Sequence, residues 1–149
     1  FKRPALLIWW PLWSHLGFEM PNHVQWDPLY SVGNEVLDNQ HKAILAQCNA
    51  LVDCTTNPRQ DAEQEFRAIF SELLTTVREH FATEEALLSS AAFPELDEHR
   101  GTQQEFEYLA TDIITTDNFE MSEIHRFVTL WWVGHLIDSV KKYRAFFVK

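Results

Sequence analysis

At 149 residues the chain has the length of one ordinary domain, enough to bury roughly two-thirds of its unfolded surface around a single core. With 46% hydrophobic and 13% aromatic residues it is too apolar for disorder, and 4 glycines are few for a fold of many short strands. A formal charge of −10 without any lysine or arginine cluster repels phosphate backbones and anionic lipid heads, which argues against nucleic acid and membrane surfaces as partners.

Residues 1–19, FKRPALLIWWPLWSHLGFE, share no periodicity with the rest of the chain. Lys2 and Arg3 precede a short apolar run, but Pro11 interrupts it, no small-x-small cleavage site follows, and the run is too short to span a bilayer. The segment reads as appended or non-native, with Met20 a natural start for a domain over residues 20–149; a hydrophobic docking arm and a defective export signal are the alternatives. Pro21 to Val36 then mixes Trp26, Pro28, Tyr30 and Gly33, which sustains neither helix nor strand and reads as an extended arm.

The first helix is expected from Leu37 to Cys54, with Leu37, His41, Ile44, Leu45, Cys48, Leu51 and Val52 at three- and four-residue steps. Cys48 and Cys54 would lie about 9 Å apart along its axis, on different faces and too far apart to bridge, which fits a reduced, cytoplasmic setting. Asn57-Pro58 separates it from a second helix, expected over Pro58 to Ser89, with Phe66, Ile69, Phe70, Leu73, Val77, His80, Phe81, Glu84 and Leu87 along its stripe. The third opens at Pro94 and runs to Thr115, its stripe reading Leu96, His99, Gln103, Phe106, Ala110 and Ile113. The fourth comes after a Thr-Asp-Asn turn and covers Met121 to Phe147, with Ile124, Val128, Trp131, His135, Ser139 and Phe146 in a narrow arc. Four such helices joined by short connections predict an all-α, up-down-up-down four-helix bundle behind the N-terminal arm.

Each helix thus turns one histidine inward, His41, His80, His99 and His135, joined by Glu84 one turn from His80. Buried polar groups of this kind are costly unless they satisfy one another or a metal. A single inward histidine is usually a hydrogen-bonded core residue; one on each of four helices with a carboxylate favours a metal site. Imidazole suits zinc, copper, iron and nickel; a carboxylate added to it without thiolate leans toward iron, and the set excludes the oxygen-only sites of calcium or magnesium. His15, His23 and His125 read as surface residues outside the constellation, and Glu85 as a surface neighbour of Glu84.

The runs QWDPLYSVGNEVLDNQHKAIL, HFATEEALLSSAAFPELDEHRGTQQEF and WWVGHLIDSVKKYRAFF resemble the bacterial hemerythrins, in order and at family spacing, from Val24 to Phe147. The resemblance implies a non-haem iron centre in the bundle core that binds dioxygen directly. In that family three histidines hold one iron and two the other, with a glutamate and an aspartate bridging. His41, His80, Glu84, His99 and His135 match five of these ligands, and Trp131 a pocket-lining tryptophan.

Two ligand positions depart from the pattern. Gln103 stands where the family has another histidine, with Phe106 keeping the register, and Val140 stands for the bridging aspartate, with Tyr143 in place. The usual pair of irons therefore lacks a terminal ligand and a bridge, which implies one iron per chain in preference to two. Asp138 is a candidate substitute ligand on the flank, and Gln103 a group that either bonds a core carbonyl or orients an iron-bound ligand. The functional expectation is a non-haem iron protein that binds or senses dioxygen or nitric oxide, ahead of a ferrous enzyme acting on superoxide or peroxide, iron storage or delivery, and a metal-free interaction module.

Overall fold

The computed structural model describes residues 23–116 and 120–148. The expectations for residues 1–19, including His15, and for most of the Thr-Asp-Asn turn lie outside them. Among the described residues there are four α-helices and no strand: α1 (Glu35–Thr56), α2 (Ala62–Ser90), α3 (Leu96–Thr115) and α4 (Met121–Phe147). The expected four-helix bundle is the observed fold. Its core runs from Cys54 and Phe66 through Leu51, Leu73, Val77, Phe106 and Val128 to Phe81 and Trp132.

The helices begin where the chain has both a capping group and an apolar side chain to bury. Asn34 caps α1 by accepting from the Leu37 N–H at 3.1 Å, and Glu35 and Asp38 place negative charge in the first turn, where the helix dipole favours it. Helix α2 starts at Ala62 and not at Pro58, because residues 57–61 are all exposed and Phe66 is its first buried side chain. Pro94 likewise stays in the turn before α3. The stripes hold with small shifts: Leu88 replaces Leu87 as the buried residue at the end of α2, and α4 buries a broader arc than expected, including Phe127, Trp132 and Leu136.

The arm is docked across α1 and α4. Val24 exchanges two hydrogen bonds with the Asn49 side chain, both 2.9 Å, and packs beside Leu45 and Leu136. Trp26 lies under the Lys42 ammonium, 5.2 Å from the ring centroid. Within the arm Pro28–Tyr30 forms one 3₁₀ turn, where Asp27 accepts from the Leu29 N–H and proline supplies the required φ. Asp38 then draws in Ser31 Oγ at 2.6 Å and the Val32 N–H at 2.9 Å. Gly33, at φ +79°, has no room for a Cβ, which would run into the Val148 side chain. Both cysteines are free and buried, and burial pushes the Cys48 thiol up to about 12.

Helix α2 ends in a Schellman turn: the Phe93 N–H bonds Leu88 O and the Ala92 N–H bonds Ser89 O, with Phe93 and Leu88 packed together beside Tyr143. The turn puts Ala92 at φ 56°, where an L side chain costs about 1–2 kcal/mol, only partly offset by the greater unfolded-state freedom of glycine. Ala92→Gly is expected to stabilise the fold by about 0.5–1 kcal/mol. Thermal melts of the two proteins check this; an unchanged or lower midpoint would remove the strain account.

Candidate metal centre

The alternating helix direction brings together groups that are far apart in sequence. His41 lies near the start of α1, His80 and Glu84 toward the end of α2, His99 near the start of α3 and His135 in the second half of α4; all five are buried. His80 and Glu84 project together because residues four apart lie one above the other on a helix face.

Four of the five converge on one point. Ligand atoms of His41, His80, Glu84 and His135 all lie within 4.8 Å of one another. His80 Nε2 is 3.1 Å from His41 Nε2, 3.4 Å from His135 Nε2 and 2.9 Å from Glu84 Oε2. Glu84 Oε2 is also 3.4 Å from His135 Nε2 and 3.7 Å from His41 Nε2, yet no donor among the described residues is aligned to hydrogen-bond it. His99 reaches the same carboxylate from the other side, its Nε2 2.6 Å from Oε1, and is not one of the four convergent groups. An unpaired anionic oxygen facing imidazole nitrogens in a dry core is the environment that a divalent cation relieves.

Neighbouring groups hold the rings in place. His80 Nδ1 lies 2.9 Å from Gln40 Oε1; the Gln40 amide donates to Thr83 Oγ1, whose hydroxyl in turn donates to Glu79 O. That chain puts the His80 proton on Nδ1 and leaves an Nε2 lone pair facing the cluster. Trp131 stacks on His135 at 5.6 Å and 9°, and Trp132 meets the same ring edge-on at 5.0 Å. Phe81 closes the floor, 5.7 Å from His135 and 6.3 Å from His99. Gln103 donates to Phe81 O at 3.0 Å, a core-carbonyl bond that is one of the two roles open to it, and its amide also lies 3.5 Å from His99 Nδ1.

The remaining sequence expectations divide. His23 is exposed and paired with Asp53 at 2.6 Å, and Glu85 bonds Arg100 at 2.7 Å. His125 is buried, contrary to expectation, because it shares the second buried row of α4 with Thr129, Trp132 and Leu136. Asp138 is exposed and does not replace the missing carboxylate. The buried arc of α4 is centred between its Trp131–His135 and Trp132–Leu136 rows, so at about 100° per residue Ser139 falls at the centre and Asp138 to the side. Ser139 Oγ lies 3.4 Å from His135 Nε2. Sequence reasoning gave Ser139 and Gln40 no role: the first was one more stripe position, and the second meets His80 only through the α1–α2 contact.

The sequence matches the Hemerythrin HHE cation binding domain family over residues 32–142. A hemerythrin-like protein of Naegleria gruberi is 31% identical over 126 residues, spanning 85% of this chain and 95% of the relative. Myohemerythrin of Theromyzon tessulatum is 25% identical over 131 residues, 86% of this chain and 97% of the relative. A bacteriohemerythrin of Campylobacter jejuni is 29% identical over 73 residues, 49% of this chain and 53% of the relative. No solved structure matches the chain.

Protonation of the metal-free cluster should oppose folding. Burial lowers His80 to about 4 from its ordinary 6.5 and lowers His41 in the same direction. Both of these folded-state values lie below the unfolded one, so the stability is complete above pH 6.5 and is lost as pH falls through about 4. Thermal melts of chelator-stripped protein should show the midpoint falling steadily over that window; a flat profile would contradict the sign.

Proposed function

The chain belongs to the hemerythrin family, and from that membership we propose that it is a non-haem iron protein whose bundle-core iron binds a diatomic ligand, dioxygen or nitric oxide, to carry or sense it. The observation that carries the reading is Glu84 Oε2, fully buried, without a hydrogen-bond donor and facing the ring nitrogens of His41, His80 and His135. Imidazole and carboxylate without thiolate form a donor set suited to ferrous and ferric iron, and the family is one of cation-binding domains. His41, His80, Glu84 and His135 make up the donor set, with His99 held on Glu84 Oε1, Trp131 lining the ligand side and Gln103 acting through His99.

Binding is favoured over turnover because proton-dependent chemistry on superoxide or peroxide wants an acid beside the metal. Among the described residues Glu85, the carboxylate adjacent in sequence, is committed to Arg100 at the surface. No helix among the described residues is long and apolar enough to cross a membrane.

Anaerobic reconstitution with ferrous iron, followed by elemental analysis and visible spectra under dioxygen and under nitric oxide, tests the proposal. The native chain is expected to retain iron after desalting and to change its spectrum with at least one gas, while Glu84→Ala retains iron at background level. A folded native chain that keeps no iron, or an iron-loaded one indifferent to both gases, would overturn it.

A further inference from the structure

Resting on that iron-binding reading, we infer that the centre holds a single metal ion between His41, His80, Glu84 and His135, and that His99, anchored by Gln103, is a positioning residue acting on Glu84 and not a metal ligand.

Donor atoms about 2.0–2.1 Å from one first-row ion lie roughly 3.0–3.4 Å from one another. Five of the six separations among the four groups are 2.9, 3.1, 3.4, 3.4 and 3.7 Å and all six are within 4.8 Å, close enough to that range for the four to close on one ion. The two oxygens of Glu84 are divided between tasks. Oε2 faces the cage without a donor, whereas Oε1 holds His99 Nε2 at 2.6 Å, the length of a short charge-assisted hydrogen bond.

Two glutamines set the two histidines of α2 and α3 in opposite states. A carbonyl only accepts, so the bond from Gln103 to Phe81 O fixes which end of that amide points inward, and its nitrogen faces His99 Nδ1. A donor at Nδ1 places the His99 proton on Nε2, where it is given to Glu84. Gln40 does the reverse to His80: its oxygen takes the Nδ1 proton and frees Nε2 as a lone pair. His80 is thereby prepared to bind a cation and His99 to bind a carboxylate.

The positions from which the resemblance expects further donors on the Oε1 side do not supply them: Gln103 turns an N–H inward, Val140 has no donor atom, and Asp138 is exposed.

The test compares the native chain with His99→Gln, which keeps an N–H donor but is a poor ligand, His99→Leu, which has neither property, and His41→Ala. Each is loaded anaerobically with ferrous iron and, separately, with cobalt(II). Metal per chain is read by elemental analysis, affinity by chelator competition, and helix content by circular dichroism. The expected result is one ion per chain in the native protein, one ion at near-native affinity in His99→Gln, and one ion held about 10- to 100-fold more weakly in His99→Leu. His41→Ala should show a larger loss than either. The nitric oxide adduct of the ferrous native protein should give a half-integer-spin resonance integrating to one spin per chain.

Two ions per native chain, a His99→Gln protein as impaired as His99→Leu, or a His99→Leu protein of unaltered affinity would each overturn the inference. Two irons that bind nitric oxide would leave the proposed function standing while removing the single-ion site. One cobalt but no iron would do the opposite, and neither metal would remove both.

Discussion

The structure turns on one buried carboxylate. Glu84 sits at zero exposure in the middle of an apolar bundle, where an unpaired charge costs several kcal/mol after relaxation. Everything within reach of it answers that cost: three imidazole nitrogens on Oε2, one on Oε1, each from a different helix position, with two tryptophans and Phe81 keeping water out. The four histidines alone do not satisfy Oε2, to which none is aligned to donate, and the cluster remains a concentration of negative charge and lone pairs. This imbalance suits a cation, and it is why the site reads as a metal centre and not as a polar knot in the core.

Holding such a site requires rigid elements, and the bundle supplies them at modest cost. The large aromatic and aliphatic cluster lies to one side of the histidines, and the smaller group of Leu88, Phe93 and Tyr143 lies near Glu84 and His99 toward the end of α2. The Schellman turn at Ala91–Phe93 sets the direction in which α3 departs and thereby brings His99 onto Glu84. The docked arm covers the α1–α4 seam outside Leu45 and Leu136, behind His41. Each device is local, yet together they hold the donor atoms near 3 Å separations.

The departures at Gln103 and Val140 change more than the number of ligands. Where the family pattern has a histidine, Gln103 turns an N–H toward His99 and so converts its neighbour from an acceptor of metal into a donor to Glu84. With valine where the resemblance implies a bridging aspartate, α4 brings the Ser139 hydroxyl and no carboxylate to the cluster. One substitution in a coupled network thus alters the chemistry of residues that are themselves unchanged.

Helical periodicity alone determined the four helices, their buried stripes and the inward placement of all five candidate residues, because the repeat of apolar side chains is a property of each segment by itself. It located helix starts less well, since Pro58 and Pro94 permit a helix whose first turns have no apolar side chain to bury. It also misjudged His125 and Asp138, because the width and centre of the buried arc on α4 depend on what packs against it from neighbouring helices. Only the tertiary structure separated His99 from the other three histidines. The difference lies in which end of an amide faces each ring, Gln40 across the α1–α2 contact and Gln103 across α2–α3, and that orientation is set by Thr83 Oγ1 and Phe81 O, groups on another helix that no single-segment pattern can register.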